Sequence, residues 1–349
     1  MDLLNAFTVD VEDYFQVSAF ENDIKRDQWS GYTRRVVANT RRILALMDKH
    51  DVRGTFFVLG WIASLEPELV REIHRAGHEI ASHGYWHRLV YRQTPEQFRE
   101  DIRRSRDLLQ DITGEPVVAY RAPSFSITKQ SLWALDILIQ EGFTQDYSIF
   151  PIHHDRYGIA DAEPAIHRIS SPAGVSWEFP ASTRRFAGFN MPVSGGGYFR
   201  LYPTWWTIRC LKAINRKTGL PFVFYVHPWE LDPEQPRLNV GSRGSRVRHY
   251  LNLSATEKKL DVLLDSFRFG RSSDVIRQTK VPSTCPFPTQ DTADCPPLCA
   301  VAGNGSYDAK SDLTIRKSSR CEDCIPGLAG ESNAKCPCHA PIFELASSS

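Results

Sequence analysis

The chain has 349 residues, 42% hydrophobic and 24% charged, with 42 basic against 41 acidic side chains and a formal net charge of +1. That length can bury a substantial core, as one large α/β barrel or as two smaller domains. The near-neutral balance leaves no electrostatic footprint for nucleic acid, and no run approaches the ~18 consecutive apolar residues of a transmembrane segment. The first ten residues, Met-Asp-Leu-Leu-Asn-Ala-Phe-Thr-Val-Asp, lack the basic and apolar regions of a secretory signal, so a cytoplasmic protein is expected.

In chain order, residues 3–9 form an apolar run ending in Asp10-Val11-Glu12-Asp13. It reads as a buried strand that delivers carboxylates at its C-terminal end. Residues 33–50 have helical spacing, with Val36, Val37, Ile43, Leu44 and Met47 apolar. Residues 55–59 are a second strand, 67–76 a helix stopped by Gly77, and 78–82 a third strand. The clearest helix spans 94–112, with Thr94 as N-cap, Pro95 at the first position and Gln97 three residues after the cap. A strand at 117–120, a helix at 128–140 and a strand at 143–147 follow. Residues 148–202 read as irregular with short β-like pieces such as 177–180, and Ser194-Gly-Gly-Gly-Tyr198 as a flexible loop near a groove. Residues 203–217 are helical, 222–226 a strand, and 256–267 a last helix.

Strands alternating with helices argue for parallel βα units, whose ligands bind at the C-terminal ends of the strands. Asp10, His83, Arg121 and His227 each fall just after a predicted strand. His83 and His87 are four apart, and one helical turn would put them on a single face. With a carboxylate from Glu12 or Asp13 they would hold a metal and leave positions open for water and substrate. As a bare pair they read equally as ligands or as packed histidines. His74 and His78 share the spacing, but Gly77 sets them on different elements. Alternation points Asp10 and Glu12 to one side of an extended strand, whereas a bend would bring in Asp13 instead.

Cysteine usage divides the chain. Cys210 stands alone in residues 1–280, while Cys285, Cys295, Cys299, Cys321, Cys324, Cys336 and Cys338 crowd the end. The spacing of Cys321, Cys324, Cys336, Cys338 and His339 suggests zinc, yet the segment has almost no apolar core to fold around. A disordered or separately organised extension is expected.

Five segments carry a family likeness: Phe7-Thr-Val-Asp-Val-Glu-Asp13, Gly54-Thr-Phe-Phe-Val-Leu-Gly60, Gly77-His-Glu-Ile-Ala-Ser-His83 with His87, Arg121-Ala-Pro-Ser-Phe125, and Val226-His227. Over roughly residues 1–270 the chain resembles the polysaccharide deacetylases, the NodB-homology group of carbohydrate esterase family 4. Asp13-Tyr-Phe, Ile149-Phe-Pro, His154-Asp-Arg-Tyr-Gly158 and His227-Pro-Trp-Glu230 resemble the subgroup associated with exopolysaccharide and exosortase gene clusters. The resemblance implies an α/β fold, a distorted (β/α) barrel, over residues 1–278, with an irregular tail over 279–349. It implies removal of N-acetyl groups from a carbohydrate, acting on a polysaccharide or its precursor, which a cytoplasmic protein would meet at the inner face of the cytoplasmic membrane.

The resemblance also implies roles. Asp10 would be the general base, Arg121 its partner, His227 the general acid and Asp146 the carboxylate that orients His227. A divalent metal, zinc, would sit on His83 and His87. The family's metal-binding aspartate position holds Val11 here, so Glu12 or Asp13 must substitute. Two alternatives share the fold: hydrolysis of peptidoglycan or another amide, and an inactive carbohydrate-binding protein. Neither polymer identity nor oligomeric state is legible in the sequence.

Overall fold

The short apolar runs become strands of one largely parallel sheet in the computed structural model, which describes residues 3–154 and 156–279 and the backbone of 285–286. These lie in one unit, Met1–Thr292. The cysteines and histidine with zinc-like spacing, Cys321 to His339, lie outside the described residues.

The strands are β1 (Leu4–Val11), β2 (Thr55–Val58), β3 (Glu79–Ser82), β4 (Ala119–Tyr120), β5 (Gln145–Asp146), β6 (His167–Ser171), β7 (Gly174–Glu178), β8 (Thr183–Phe186), β9 (Phe189–Pro192), β10 (Val223–Val226) and β11 (Arg268–Gly270). The sheet runs β10-β1-β2-β3-β4-β5-β7-β6, with β11 also beside β1; β8 and β9 form a separate hairpin. All main-sheet pairings among these strands are parallel except β6 with β7. Side chains of β1 from Asn5 to Val11 are buried, as a central strand covered on both faces requires. Hydrogen bonds continue the path from β7 toward β10: Ala181 N donates to Ile149 O (3.1 Å), Val223 N to Ser182 Oγ (3.0 Å) and Tyr225 N to Ser194 O (2.8 Å).

The helices are α1 (Val36–Lys49), α2 (Gly60–Leu65), α3 (Pro67–Arg75), α4 (Pro95–Thr113), α5 (Trp133–Gln140), α6 (Gly196–Leu201), α7 (Thr204–Thr218), α8 (Arg243–Tyr250), α9 (Leu253–Ser266) and α10 (Ser272–Gln278). The expected capping box opens α4: Gln97 N donates to Thr94 Oγ1 (3.3 Å) and Thr94 N to Gln97 Oε1 (3.1 Å). Gly114 closes that helix in the left-handed region. Among the described residues no helix is long and apolar enough to cross a membrane.

Two expectations need correction. The region 148–202 is not merely irregular, because it holds two antiparallel hairpins, β6–β7 and β8–β9. Nor is the triple glycine a flexible loop. It starts α6 against Tyr225, and a Cβ on Gly195 would lie 1.9 Å from the Tyr225 carbonyl oxygen. Gly195 serves close approach of two backbones, and Gly196 leaves room for the Tyr225 ring.

A candidate metal centre and its acid–base neighbours

At its C-terminal end β1 places Asp10 and then bends, with Glu12 N donating to Asp10 O at 3.0 Å. The bend separates the two carboxylates that sequence left open. Glu12 turns toward the histidines, its Oε2 lying 2.6 Å from His87 Nε2. Asp13 turns toward α1. Its Oδ2 accepts from Arg35 N (2.7 Å) and Val36 N (3.0 Å), and its Oδ1 from Tyr14 N (3.0 Å). Asp13 thus caps a helix whose own N-cap residue, Arg35, supplies no side-chain cap. Burial pushes the Asp13 carboxyl up to about 6, against those backbone bonds.

His83 leaves β3, but His87 follows through a loop, not the helical turn expected from the spacing. Gly84 (φ +73°) and His87 (φ +51°) both sit in the left-handed region. Partners elsewhere in the fold hold the loop's polar backbone. Tyr85 N and Trp86 N donate to the Asp101 carboxylate of α4 at 2.7 and 3.2 Å. Gly60 N and Trp61 N, at the start of α2, donate to Gly84 O and Tyr85 O at 2.8 and 3.0 Å. Arg26 donates to Trp86 O (2.6 Å) and His87 O (3.0 Å). These bonds satisfy the loop's backbone in place of an i to i+4 ladder.

The ligand atoms of Glu12, His83 and His87 all lie within 4.8 Å of one another, and all three residues are buried. His83 Nδ1 hydrogen-bonds Arg121 O at 2.8 Å, which leaves Nε2 as its ligand atom. Burial holds the His83 ring down at about 4, so it is a neutral donor at neutral pH. Burial would raise the Glu12 carboxyl, but His87, with His227 and His83 adding, keeps it well below the carboxylate range. Glu12 Oε2 is a buried oxygen without a hydrogen-bond donor, despite its short approach to His87. Two imidazole nitrogens and a carboxylate converging in this way suit a divalent metal.

Beside this group lie two charged pairs. Arg121 Nη1 donates to Asp10 Oδ1 (2.6 Å) and Thr8 Oγ1 (2.9 Å), with its guanidinium over the Phe57 ring. His227, at the end of β10, has Nε2 3.7 Å from Asp10 Oδ2 and 3.8 Å from Glu12 Oε1. Its Nδ1 lies 2.6 Å from Glu230 Oε1. Burial alone would lower His227, but the bond to Glu230 and the charges of Glu230, Glu12 and Asp10 push it up to about 9. Arg200 backs Glu230 at 2.6 Å, and Trp229 donates to Glu12 Oε1 at 3.1 Å while stacking on His227.

Asp146 does not reach His227. It binds Ser148 Oγ (2.5 Å) and pairs in register with Glu178 of β7, whereas β10 lies beside β1. Burial and the neighbouring Asp146 charge raise Glu178 well above the carboxylate range. The carboxylate on His227 is Glu230, which sequence reasoning quoted within His227-Pro-Trp-Glu230 without assigning it. Its position three residues after the histidine, on a 3-10 turn at Pro228–Leu231, was the available signal. Asp101, Arg26 and Arg200 carried no such signal, because each reaches the site through tertiary contact.

Asp101→Ala should strand two loop N–H groups. Affinity for a titrated divalent metal should fall about 10–100-fold, as for lost supporting partners of ligands. Calorimetric titration measures this, and wild-type affinity would remove Asp101 from the support of His87.

A polysaccharide deacetylase family model matches residues 27–139, which hold His83, His87 and Arg121. A second model, a domain of unknown function (DUF3473), matches residues 147–277, which hold Arg200, His227 and Glu230. Over residues 27–139 the chain is therefore similar to the polysaccharide deacetylases. It is 30% identical over 114 residues to a peptidoglycan deacetylase of Helicobacter pylori, a match over 33% of this chain and 37% of the relative. Similarity to that protein thus spans well under half of its length. Among solved structures, one of a Mycobacterium smegmatis protein assigned by inference to the polysaccharide deacetylases superposes with a TM-score of 0.54 at 21% identity, covering 82% of this chain and 95% of that one. A PuuE allantoinase superposes with a TM-score of 0.51 at 15% identity, covering 79% and 90%. These structural likenesses are likenesses of fold.

Proposed function

We propose that the protein is a metal-dependent hydrolase that removes N-acetyl groups from a carbohydrate, a polysaccharide or its amino-sugar precursor. The observation that carries this reading is the convergence of Glu12, His83 and His87 beside Asp10 and His227. A divalent metal on those three residues, which we take to be zinc, would supply Lewis acidity for the acetamide carbonyl and its attacking water. Arg121, which also donates to Thr8, fixes the orientation of Asp10, which takes the proton from water as general base. His227, kept cationic by Glu230, gives a proton to the departing amine nitrogen. Acetate and a free amino sugar result. A role in exopolysaccharide synthesis rests on the subgroup-like segments noted in the sequence.

The reading as an inactive binding protein drew on Val11 at the family's ligand position. Glu12 weakens it, because this carboxylate just beyond the end of β1 joins the histidines. The test is acetate release from N-acetylated oligosaccharides. His83→Ala should lose activity together with metal, and Asp10→Asn should lose about 10²–10⁴-fold in kcat while retaining metal. Unchanged release in both variants would sink the proposal. A substrate panel including peptidoglycan and small amides separates the alternatives on this fold.

A further inference from the structure

The β8–β9 hairpin and α7 together present a surface that the chemistry above does not use. The hairpin turns through Ala187 (φ +48°) and Gly188 (φ +86°), with Phe186 paired to Phe189 across the turn. Both rings project into solvent, Phe186 being 64% and Phe189 76% exposed. On α7, Trp205 is 67% exposed. Exposed Arg209, Lys212 and Arg216 follow Trp205 along one helical stripe, and together with Ile208 these residues line a shallow depression. Hairpin and helix are neighbours: Arg184 Nη1 lies 3.3 Å from Cys210 Sγ, and Arg184, Arg185, Ile214 and Lys217 line one cavity of about 1060 Å³.

Charge on the hairpin and on α7 has one sign. Residues 183–192 and 204–218 contain Arg184, Arg185, Arg209, Lys212, Arg216 and Lys217 and no acidic residue, in a chain that is otherwise balanced. None of the six forms an ion pair among the described residues. Acidic residues lie nearby: Asp161, paired with Lys129, and Glu163 line the cavity with Arg184, Arg185 and Lys217. The neighbouring α9 carries Asp265 besides Glu257 and Asp261, which pair with Arg42 and Lys49.

Exposed phenylalanines at a hairpin tip beside an unpaired basic stripe with tryptophan at its end match an anionic bilayer surface. The rings can enter the acyl boundary while the cations meet headgroup phosphates. A soluble polyanion would reward the cations but not the two phenylalanines. We propose that the β8–β9 hairpin and the Trp205–Arg216 face of α7 dock the protein on a membrane surface rich in anionic lipid.

The experiment is vesicle co-sedimentation of the full chain. Wild type should partition onto phosphatidylcholine vesicles containing phosphatidylglycerol, not onto phosphatidylcholine alone, and added salt should weaken binding. Phe186→Ser/Phe189→Ser should lower partitioning about tenfold or more, and Arg209→Glu/Lys212→Glu should abolish it. Thermal melting of both variants should match wild type, since the changed side chains are exposed. Absence of wild-type binding overturns the proposal, as does binding that survives both double substitutions. Capture by a soluble anionic polysaccharide such as heparin, without vesicle binding, assigns the surface to a polyanion and overturns it too.

Discussion

Glu12→Gln should leave the purified protein without tightly bound metal and without measurable acetate release, while Asp13→Ala keeps both. The amide retains the shape of Glu12 but not its charge, and the metal then meets two neutral imidazoles alone. Structural and catalytic divalent sites depend on an anionic or imidazole set of at least three ligands. Asp13→Ala removes an acceptor from Arg35 N and Val36 N at the start of α1. It should cost about 1–2 kcal/mol of stability, the value of a helix cap, and little metal affinity. Metal analysis after dialysis and urea unfolding read the two effects separately. Metal loss in Asp13→Ala with retention in Glu12→Gln would reverse the assignment.

The second large effect is expected at Arg200. Its guanidinium is buried, donates to Glu230 Oε2 (2.6 Å), His249 O (2.7 Å) and Leu251 O (2.9 Å), and lies over the Trp229 ring. Arg200→Met leaves the buried Glu230 charge with only His227 to balance it, at a cost of about 3–5 kcal/mol. Adding Glu230→Gln should restore part of that loss, because the stranded charge is gone, and a double-mutant cycle by urea unfolding measures the coupling. A loss below about 1 kcal/mol in Arg200→Met would contradict the network.

The same network sets a pH dependence. The folded His227 is raised from its ordinary 6.5 to about 9, so its stabilising contribution is complete below about pH 6.5 and is lost as pH rises through about 9. Activity that needs the cationic ring should fall over the same alkaline range. In Glu230→Gln the alkaline limb of the kcat/KM profile should move to lower pH, and an unmoved limb would remove Glu230 from that role.

Much of the scaffold was legible because buried parallel strands and amphipathic helices write themselves as short-range patterns. The capping box of Thr94 and Gln97, the stop at Gly114 and the buried run before Asp10 all appear where sequence placed them. Elements whose identity depends on neighbours were less legible. The hairpins at 167–192 lack strong alternation, and α6 begins on glycines explained by the close approach of Tyr225. The loop holding His87 is another such case, because its conformation is set by Asp101, Arg26 and the first N–H groups of α2.

Sequence by itself determined an α/β scaffold with Asp10, His83, Arg121 and His227 at strand ends, since strand termini and their residues are local properties of the chain. Tertiary structure decided which carboxylates join them. The bend after β1 sends Glu12 to the histidines and Asp13 to the end of α1, and the turn after β10 lays Glu230 rather than Asp146 on His227. Those choices rest on distances between residues far apart in sequence, where one carboxylate cannot be told from its neighbour until the chain has folded around it.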